Sequence, residues 1–313
     1  MKILYLGNFN SPNAEYISKT LEEFGHEVTR KHEDNITVDQ LLEAIKGKEL
    51  LFTEEARLRK DYIYGNYRKG EKDHCLGGME KVMKEIKTIP WLTNVFWAID
   101  ERVHLIQENP IFRADTVFTT DGGRDKEWKE AVINHVCVRQ GIFKPEAYIA
   151  EVGNVKKKRV GFVGENNQRF WPYREELLLF LTRTFGARFK WVGGGSGNGV
   201  FYGRNLNEVI ATIDIMVGDS VYSPYYWSNR VYEMIGRGAF LIMPDIPGLK
   251  DEFPDMITYE FGNFKDLEEK IIYYVENPKE REKIKLKNFS LCSTEYTYDK
   301  RLKCILNTNQ KTM

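Results

Sequence analysis

Short apolar runs alternate with stretches of helical periodicity along nearly the whole of this 313-residue chain. That alternation restricts the fold to parallel sheets covered by helices. Ile3–Leu6 reads as a strand ended by a Gly7-Asn8 turn, with a helix over Ala14–Phe24. Gly25 stops that helix, and His26–Arg30 reads as the next strand. Helices over Val38–Ile45, Met79–Lys87 and Asp125–Ala131 continue the series, interleaved with strands at Leu50–Thr53, Asn94–Ile99, Val117–Thr120 and His135–Val138. Glu54–Leu76 has no clear period and reads as a long, charged, tyrosine-rich loop.

The pattern halts at Lys156-Lys157-Lys158-Arg159 and then restarts. Val160–Val163 is a strand and Tyr173–Phe185 a helix opened by Pro172. Phe189–Val192 is a strand that runs into the glycine-rich stretch Gly193–Gly199. A helix over Leu206–Ala211, a strand at Ile213–Val217, a helix opening near Ser228 and a strand at Phe240–Met243 follow. Leu267–Glu276 is helical, Pro278 breaks it, and two more helical stretches reach the end. The length exceeds one typical core. We therefore expect two Rossmann-like α/β domains, 1–150 and 151–313, hinged near 145–158 and facing a central cleft. The terminal helices are expected to pack back towards the first domain. Ligands of such sheets bind in the crevice outside the carboxyl ends of the strands.

Composition removes several classes of function. Lys plus Arg and Asp plus Glu are 46 each, so no global field draws the chain to nucleic acid or to an anionic membrane. The apolar runs are a few residues long, too short to span a bilayer. The chain enters a strand directly from Met1, with no signal-peptide pattern, and Cys75, Cys137, Cys292 and Cys304 are scattered without a C-x-x-C pair. Both features point to a cytoplasmic protein with reduced thiols. The five histidines show no ligand spacing, and D-x-D, H-E-x-x-H and G-x-S-x-G are absent. No cofactor is called for, and a divalent metal is neither indicated nor excluded.

The most informative segment is Ser228–Leu249, a helix opening on polar residues, a glycine stop, a buried strand and a turn. Ser228 or Asn229 can cap the helix, leaving N–H groups free for an anion. Arg230 adds a bidentate phosphate donor, and Glu233 follows on the same face, where a carboxylate can accept ribose hydroxyls. The plain alternative is a solvated Arg230–Glu233 pair, worth under about 1 kcal/mol. Gly164 to Arg169 follows the first strand of the second half, with Arg174 at the next helix start, again a phosphate-recognition layout or simply solvated arginines. The Gly193 stretch is not a P-loop, since no Gly-Lys-Ser/Thr follows; it is a flexible connection or a place of close backbone approach to a ligand. Asp100 closes the apolar run Val95–Ile99, where desolvation raises the basicity of a carboxylate, though it can equally cap the segment after it. Gly7-Asn8 permits close approach of a ligand or is a simple turn, and Glu54-Glu55 reads as a solvated pair.

The run Arg230-Val231-Tyr232-Glu233-Met234-Ile235-Gly236-Arg237-Gly238-Ala239-Phe240-Leu241-Ile242 resembles the sugar-nucleotide motif of group 1 glycosyltransferases of the GT-B fold, in particular the spore-maturation-protein branch. The likeness continues through Tyr273–Pro278 and Glu280-Arg281 to Tyr296-Thr297-Tyr298 and Arg301. It covers most of 159–306, and 1–150 only in element order. It implies that Glu233 binds the nucleotide ribose. Many members carry a second glutamate eight positions earlier; here that position is Tyr225, a departure from the retaining pattern. A second, shorter likeness is to phage DNA β-glucosyltransferases, which pair an Arg-x-x-Glu like Arg230 and Glu233 with arginines like Arg169 and Arg174. Their inverting base is an aspartate in a segment similar to Trp97–Arg102, which implies a general-base role for Asp100.

The expected activity is transfer of a sugar from a nucleotide-diphospho-sugar, a UDP-sugar, to an acceptor hydroxyl. Asp100 is the candidate base. Gly7, Asn8, Gly164, Arg169, Arg174, Gly193, Ser228, Asn229, Arg230 and Glu233 are the candidate donor contacts. Two alternatives stay open. One is a DNA-modifying glucosyltransferase, for which Arg57, Arg59, Lys60, Arg68, Lys69 and Lys72 among Tyr62, Tyr64 and Tyr67 supply a basic, aromatic stretch, against the zero net charge. The other is a non-catalytic nucleotide-sugar-binding protein, allowed by Tyr225. Sugar, base, acceptor and oligomeric state are not legible in the sequence.

Overall fold

The computed structural model describes residues 1–33, 36–54, 76–93, 110–153, 157–166 and 172–311. The expected strand at Asn94–Ile99 with Asp100, nearly all of the Glu54–Leu76 loop with its basic residues, and Arg169 lie outside the described residues. The chain divides into two compact units, Met1–Gln140 with Tyr298–Met313, and Gly141–Thr297.

Unit 1 is a six-stranded sheet of β1 (Lys2–Gly7), β2 (Glu27–His32), β3 (Leu50–Thr53), β4 (Thr88–Leu92), β5 (Val117–Thr119) and β6 (His135–Cys137), in the order β2-β1-β3-β4-β5-β6. Every pairing is parallel. Leu50-Leu51-Phe52-Thr53 is buried at every position, because helices cover both faces and remove the alternation of a half-exposed strand. The first helix, Pro12–Glu23, is opened by Ser11, whose hydroxyl accepts from Asn13 N, with proline in the first turn. Thr37 and Gln40 form a reciprocal capping box for the helix Val38–Ala44. Leu4, Leu6, Leu41, Leu51, Val82 and Ile86 make one core, and Leu92, Phe112, Val117 and Trp128 another.

β4 is absent from the sequence expectation because Pro90 lies within it, a residue that cannot donate to a ladder. The structure accommodates it where pairing changes sides: β4 pairs with β3 through Pro90 and with β5 only at Trp91 and Leu92.

Unit 2 is a five-stranded parallel sheet of β7 (Lys158–Val163), β8 (Phe189–Val192), β9 (Ile213–Val217), β10 (Leu241–Pro244) and β11 (Ile257–Tyr259), in the order β11-β10-β9-β7-β8. Val160, Phe162, Leu177, Leu181, Ile215, Ile242 and Leu267 fill one face and Val231, Ile235, Met216, Met243 and Phe253 the other. Full burial of side chains of this size contributes about 1.5–3 kcal/mol each. Gly161 sits mid-strand because a Cβ there would meet Ile213 at 2.6 Å and Met216 at 2.9 Å.

The division falls at Gln140/Gly141, ten residues before the expected boundary. Residues 142–149 are held by unit 2: Ile142 is fully buried in its core, and Asn207 Nδ2 donates to the carbonyls of Glu146 and Tyr148 at 2.9 and 2.8 Å. The final helix, Tyr298–Lys311, belongs to unit 1, where the Tyr298 hydroxyl donates to Asn13 Oδ1 at 3.2 Å and its ring meets Trp91 at 6.0 Å. Each sheet reverses strand order once, between β1 and β3 in unit 1 and between β7 and β9 in unit 2. Ligands of open α/β sheets bind outside the carboxyl ends of the strands at such a reversal.

Candidate functional site

The reversal in unit 2 collects a charged cluster. β7 ends at Val163, and Gly164 leads to a loop whose Glu165 carbonyl accepts from Arg174 Nη1 at 2.6 Å. Arg174 stands in the first turn of the helix Pro172–Phe185 and is buried. β9 ends at Val217, and two residues on Asp219 is buried, accepting from Arg174 Nε at 2.6 Å and Nη2 at 3.3 Å. The other side of the same carboxylate accepts from Arg230 Nη1. Both guanidinium groups lie over the Phe162 ring, at 5.7 Å for Arg174 and 5.3 Å for Arg230. The trio carries one net positive charge. Burial, with Arg174 close by, pulls the Arg230 pKa down to about 10 against the opposing pull of Asp219. Arg230 therefore stays protonated at neutral pH, but in a site that an added anion would relieve.

Glycine is required around this cluster. A Cβ on Gly164 would meet Arg230 Nη2 at 2.8 Å, and one on Gly193 would meet the Gly164 carbonyl oxygen at 2.3 Å. The two loops are sewn together by Gly164 N to Val192 O at 2.8 Å and Trp191 Nε1 to Gly164 O at 2.8 Å. Gly193 N donates to Gly199 O at 2.9 Å, and Asn198 Nδ2 to Trp191 O at 2.8 Å. The Gly193–Gly199 stretch is thus a closed loop tied to its strand.

The helix behind Arg230 is short, Arg230–Ile235, and neither Ser228 nor Asn229 caps it with a side chain, contrary to expectation. Asn229 has helical dihedrals and spends its amide on Glu233 Oε1 at 3.3 Å. The buried hydroxyl oxygens of Ser220, Ser223 and Ser228 make no hydrogen bond among the described residues. Buried polar groups are normally paired, so three such hydroxyls in the segment that carries Asp219 and Arg230 are unusual.

Glu233 does not pair with Arg230. Its Oε2 accepts from Arg237 Nη1, one turn on, and Arg237 Nη2 donates to Glu146. Arg237 is fully buried between the two carboxylates. Burial raises the Glu233 pKa, Arg237 opposes that rise, and Glu146 adds to it. Tyr225, eight positions before Glu233, is exposed and left-handed at φ +57, its N–H donating to Pro247 O at 2.8 Å. Its ring fills the space where a Cβ on Gly248 would stand, at 2.3 Å. A non-glycine residue in this conformation stores strain of order 1–3 kcal/mol, a common feature of ligand-handling loops. Along the same carboxyl edge, a cavity of about 620 Å³ is lined by Tyr222, Asp245, Tyr259, Glu260, Phe261 and Lys270.

The structure brings Gly164, Arg174, Gly193 and Arg230 together and sets Ser228, Asn229 and Glu233 on the adjoining turn. Gly7 and Asn8 end β1 in unit 1, where Asn8 shapes a turn through Asn10 N to Oδ1 at 3.0 Å and Ser11 N to O at 2.9 Å. Asp100 and Arg169 lie outside the described residues. Asp219, Arg237 and Glu146 escaped the sequence reading. Asp219 was findable by the rule applied to Asp100, an acid just past a buried strand; the Arg237 and Glu146 pairing is tertiary.

Residues 173–307 match the family model described as glycosyl transferase-like. Solved structures match over essentially the whole chain. The Anabaena protein HepE (Alr3699), in complex with UDP-glucose, aligns with TM-score 0.69 at 11% identity over 99% of this chain and 100% of that one. An E. coli trehalose-6-phosphate structure bound with UDP-2-fluoro glucose aligns with TM-score 0.67 at 8% identity over 98% of both chains. A trehalose-phosphate synthase from Burkholderia vietnamiensis aligns with TM-score 0.65 at 9% identity, covering 99% of this chain and 100% of that one. The fold is GT-B. No curated protein sequence matches. In this GT-B chain the charged cluster and Glu233 both fall within the glycosyl transferase-like segment. Among the described residues no helix is long and apolar enough to cross a membrane.

Proposed function

We propose that this protein is a glycosyltransferase that moves a sugar from a nucleotide-diphospho-sugar, a UDP-sugar, to an acceptor hydroxyl. One observation carries the reading: Arg174 and Arg230 are set against the single carboxylate of Asp219 at the strand-order reversal of a GT-B fold, two guanidinium groups gathered where a ligand of such a sheet binds. Structures of the same fold holding UDP-glucose and UDP-2-fluoro glucose support the donor class.

In the reaction the acceptor oxygen attacks the anomeric carbon. The bond from that carbon to the diphosphate oxygen breaks, and its electron pair leaves with the nucleoside diphosphate. Arg174, fixed by Asp219 and the Glu165 carbonyl, holds the frame, while Arg230 meets the developing charge in a site where low dielectric strengthens the interaction. The dianion also relieves the repulsion between the two arginines. Arg169, Ser228, Asn229 and the backbone at Gly164 and Gly193 supply further donor contacts. Glu233 accepts from the ribose hydroxyls. Asp100 takes the acceptor proton in an inverting reaction.

Calorimetric titration of UDP, together with a transfer assay, tests the reading. Arg230→Ala is expected to weaken UDP binding about 100-fold, the worth of a charge-assisted contact in a desolvated site. Glu233→Ala should cost about tenfold. Asp100→Asn should bind UDP as before and fail to transfer. Undiminished UDP affinity in Arg230→Ala sinks the assignment of the cluster.

A further inference from the structure

Arg237 and Glu146 stand behind Glu233 in an arrangement with a direct consequence for ligand recognition. The Arg237 fork has two ends. Nη1 donates to Glu233 Oε2 and, at 3.2 Å, to the Glu233 carbonyl oxygen; Nη2 donates to Glu146 Oε2. Among the described residues, Glu233 Oε1 accepts one long contact, 3.3 Å from Asn229 Nδ2. The guanidinium is fully buried, while both carboxylates keep a 16% exposed side chain. The clamp therefore lies on the protein side of Glu233.

A free arginine beside a carboxylate closes on it with both ends of the fork. Here Glu146 occupies one end, so only one Glu233 oxygen is taken. Glu146 is itself well anchored. It ends the short turn Lys144–Glu146, and the fully buried Asn207 donates to the carbonyls of Glu146 and of Tyr148 beyond it. Ile149, just beyond, packs where a Cβ on Gly238 would stand, at 2.5 Å. The segment cannot drift without disturbing the core, and Glu146 is held against Arg237.

We infer that Glu146 and Arg237 are positioning residues that divide the two oxygens of Glu233, one for the protein and one for the ribose hydroxyls of a nucleotide. The inference rests on the reading of Glu233 as the ribose acceptor. Without the Glu146 charge the charge-assisted hold on Arg237 Nη2 weakens, and the guanidinium shifts towards Glu233 Oε1, competing with the ligand. The proposed phosphate contacts should be unaffected, because the hydrogen bonds of Arg174, Asp219 and Arg230 run to one another and to Glu165, and those of the clamp to Glu233 and Glu146.

The test compares UDP with 2′,3′-dideoxyuridine diphosphate, which keeps the diphosphate and base and lacks both ribose hydroxyls. The wild-type protein is expected to prefer UDP about tenfold, the worth of a charge-assisted contact. Glu233→Ala should erase that preference. Glu146→Gln should bring it to near unity as well, by weakening UDP and leaving the dideoxy ligand unchanged, a selectivity that general loosening of the fold would not produce. A preference retained in Glu146→Gln, with Glu233→Ala showing its loss, overturns the positioning role. A preference retained in Glu233→Ala overturns the ribose reading instead, and with it this inference. If Glu146→Gln shows no cooperative melting transition, Glu146→Asp, whose carboxylate falls short of Arg237, is measured with the same two outcomes.

Discussion

The two sheets share one topological device and fill it with opposite chemistry. At the reversal in unit 2, two arginines share one buried aspartate. At the reversal in unit 1, β1 and β3 end on a buried acid instead: Glu54 accepts from the Tyr5 hydroxyl at 2.7 Å with only 4% of its surface exposed. The expected solvated pair at Glu54-Glu55 is thus corrected at its first member. The Tyr5 hydroxyl is pushed well above its ordinary range, first by burial and then by Glu54, so it stays protonated and donates. Thr53, the residue before Glu54, is buried as well. Topology sets where a ligand can approach, and residue chemistry sets what the ligand can be. The second reversal presents guanidinium groups, and the first a carboxylate paired with a tyrosine hydroxyl.

Three measurements break or sharpen that contrast. The largest effect is expected from Asp219→Asn. Removing the shared carboxylate leaves two buried guanidinium groups facing each other, which costs about 3–5 kcal/mol and lowers the melting midpoint. UDP should raise the midpoint of this variant more than that of the wild type, since the ligand then supplies the missing charge. An unchanged midpoint would mean that the cluster does not hold the loops.

A pH titration of stability probes unit 1 next. His135 stacks on Trp128 at 4.5 Å and meets Thr119 Oγ1 at 2.7 Å, and burial lowers its pKa from 6.5 to about 4. The folded form resists protonation, so the contribution of His135 is present above pH 6.5 and is lost as pH falls towards 4. The loss approaches about 3 kcal/mol, at about 1.4 kcal/mol per pH unit. His135→Gln should flatten that slope, and an unaltered slope removes His135 as its source.

The smallest effect is expected from Tyr5→Phe. It removes the Tyr5 donor from the buried Glu54 carboxylate and should cost about 1–3 kcal/mol of stability. UDP affinity should not change. A fall in UDP affinity would bring the first reversal into donor binding and dissolve the contrast between the sheets.

Much of this architecture was legible in the residues. Leu50–Thr53, Phe189–Val192 and Ile213–Val217 coincide with the expected strands, because a parallel strand covered on both faces is a continuous apolar run. β11 escaped because three residues, Ile257–Tyr259, are too few to carry a period, and β4 because of Pro90. At the site, Arg174 and Arg230 stood out as arginines near helix starts. The partner of each was not legible: helical spacing suggested Arg230 with Glu233, whereas the fold joins Arg230 to Asp219 and Glu233 to Arg237.

The sequence by itself determined two parallel α/β units and the neighbourhood of the charged site, because the order of apolar runs and turn residues is a local property that survives without knowledge of contacts. Tertiary structure alone decided which charges meet. Asp219 reaches two arginines from different elements only because β7 and β9 lie side by side, and Glu146 reaches Arg237 only because residues 142–149 pack on the second sheet. Such pairings depend on through-space distance, to which spacing along the chain is no guide.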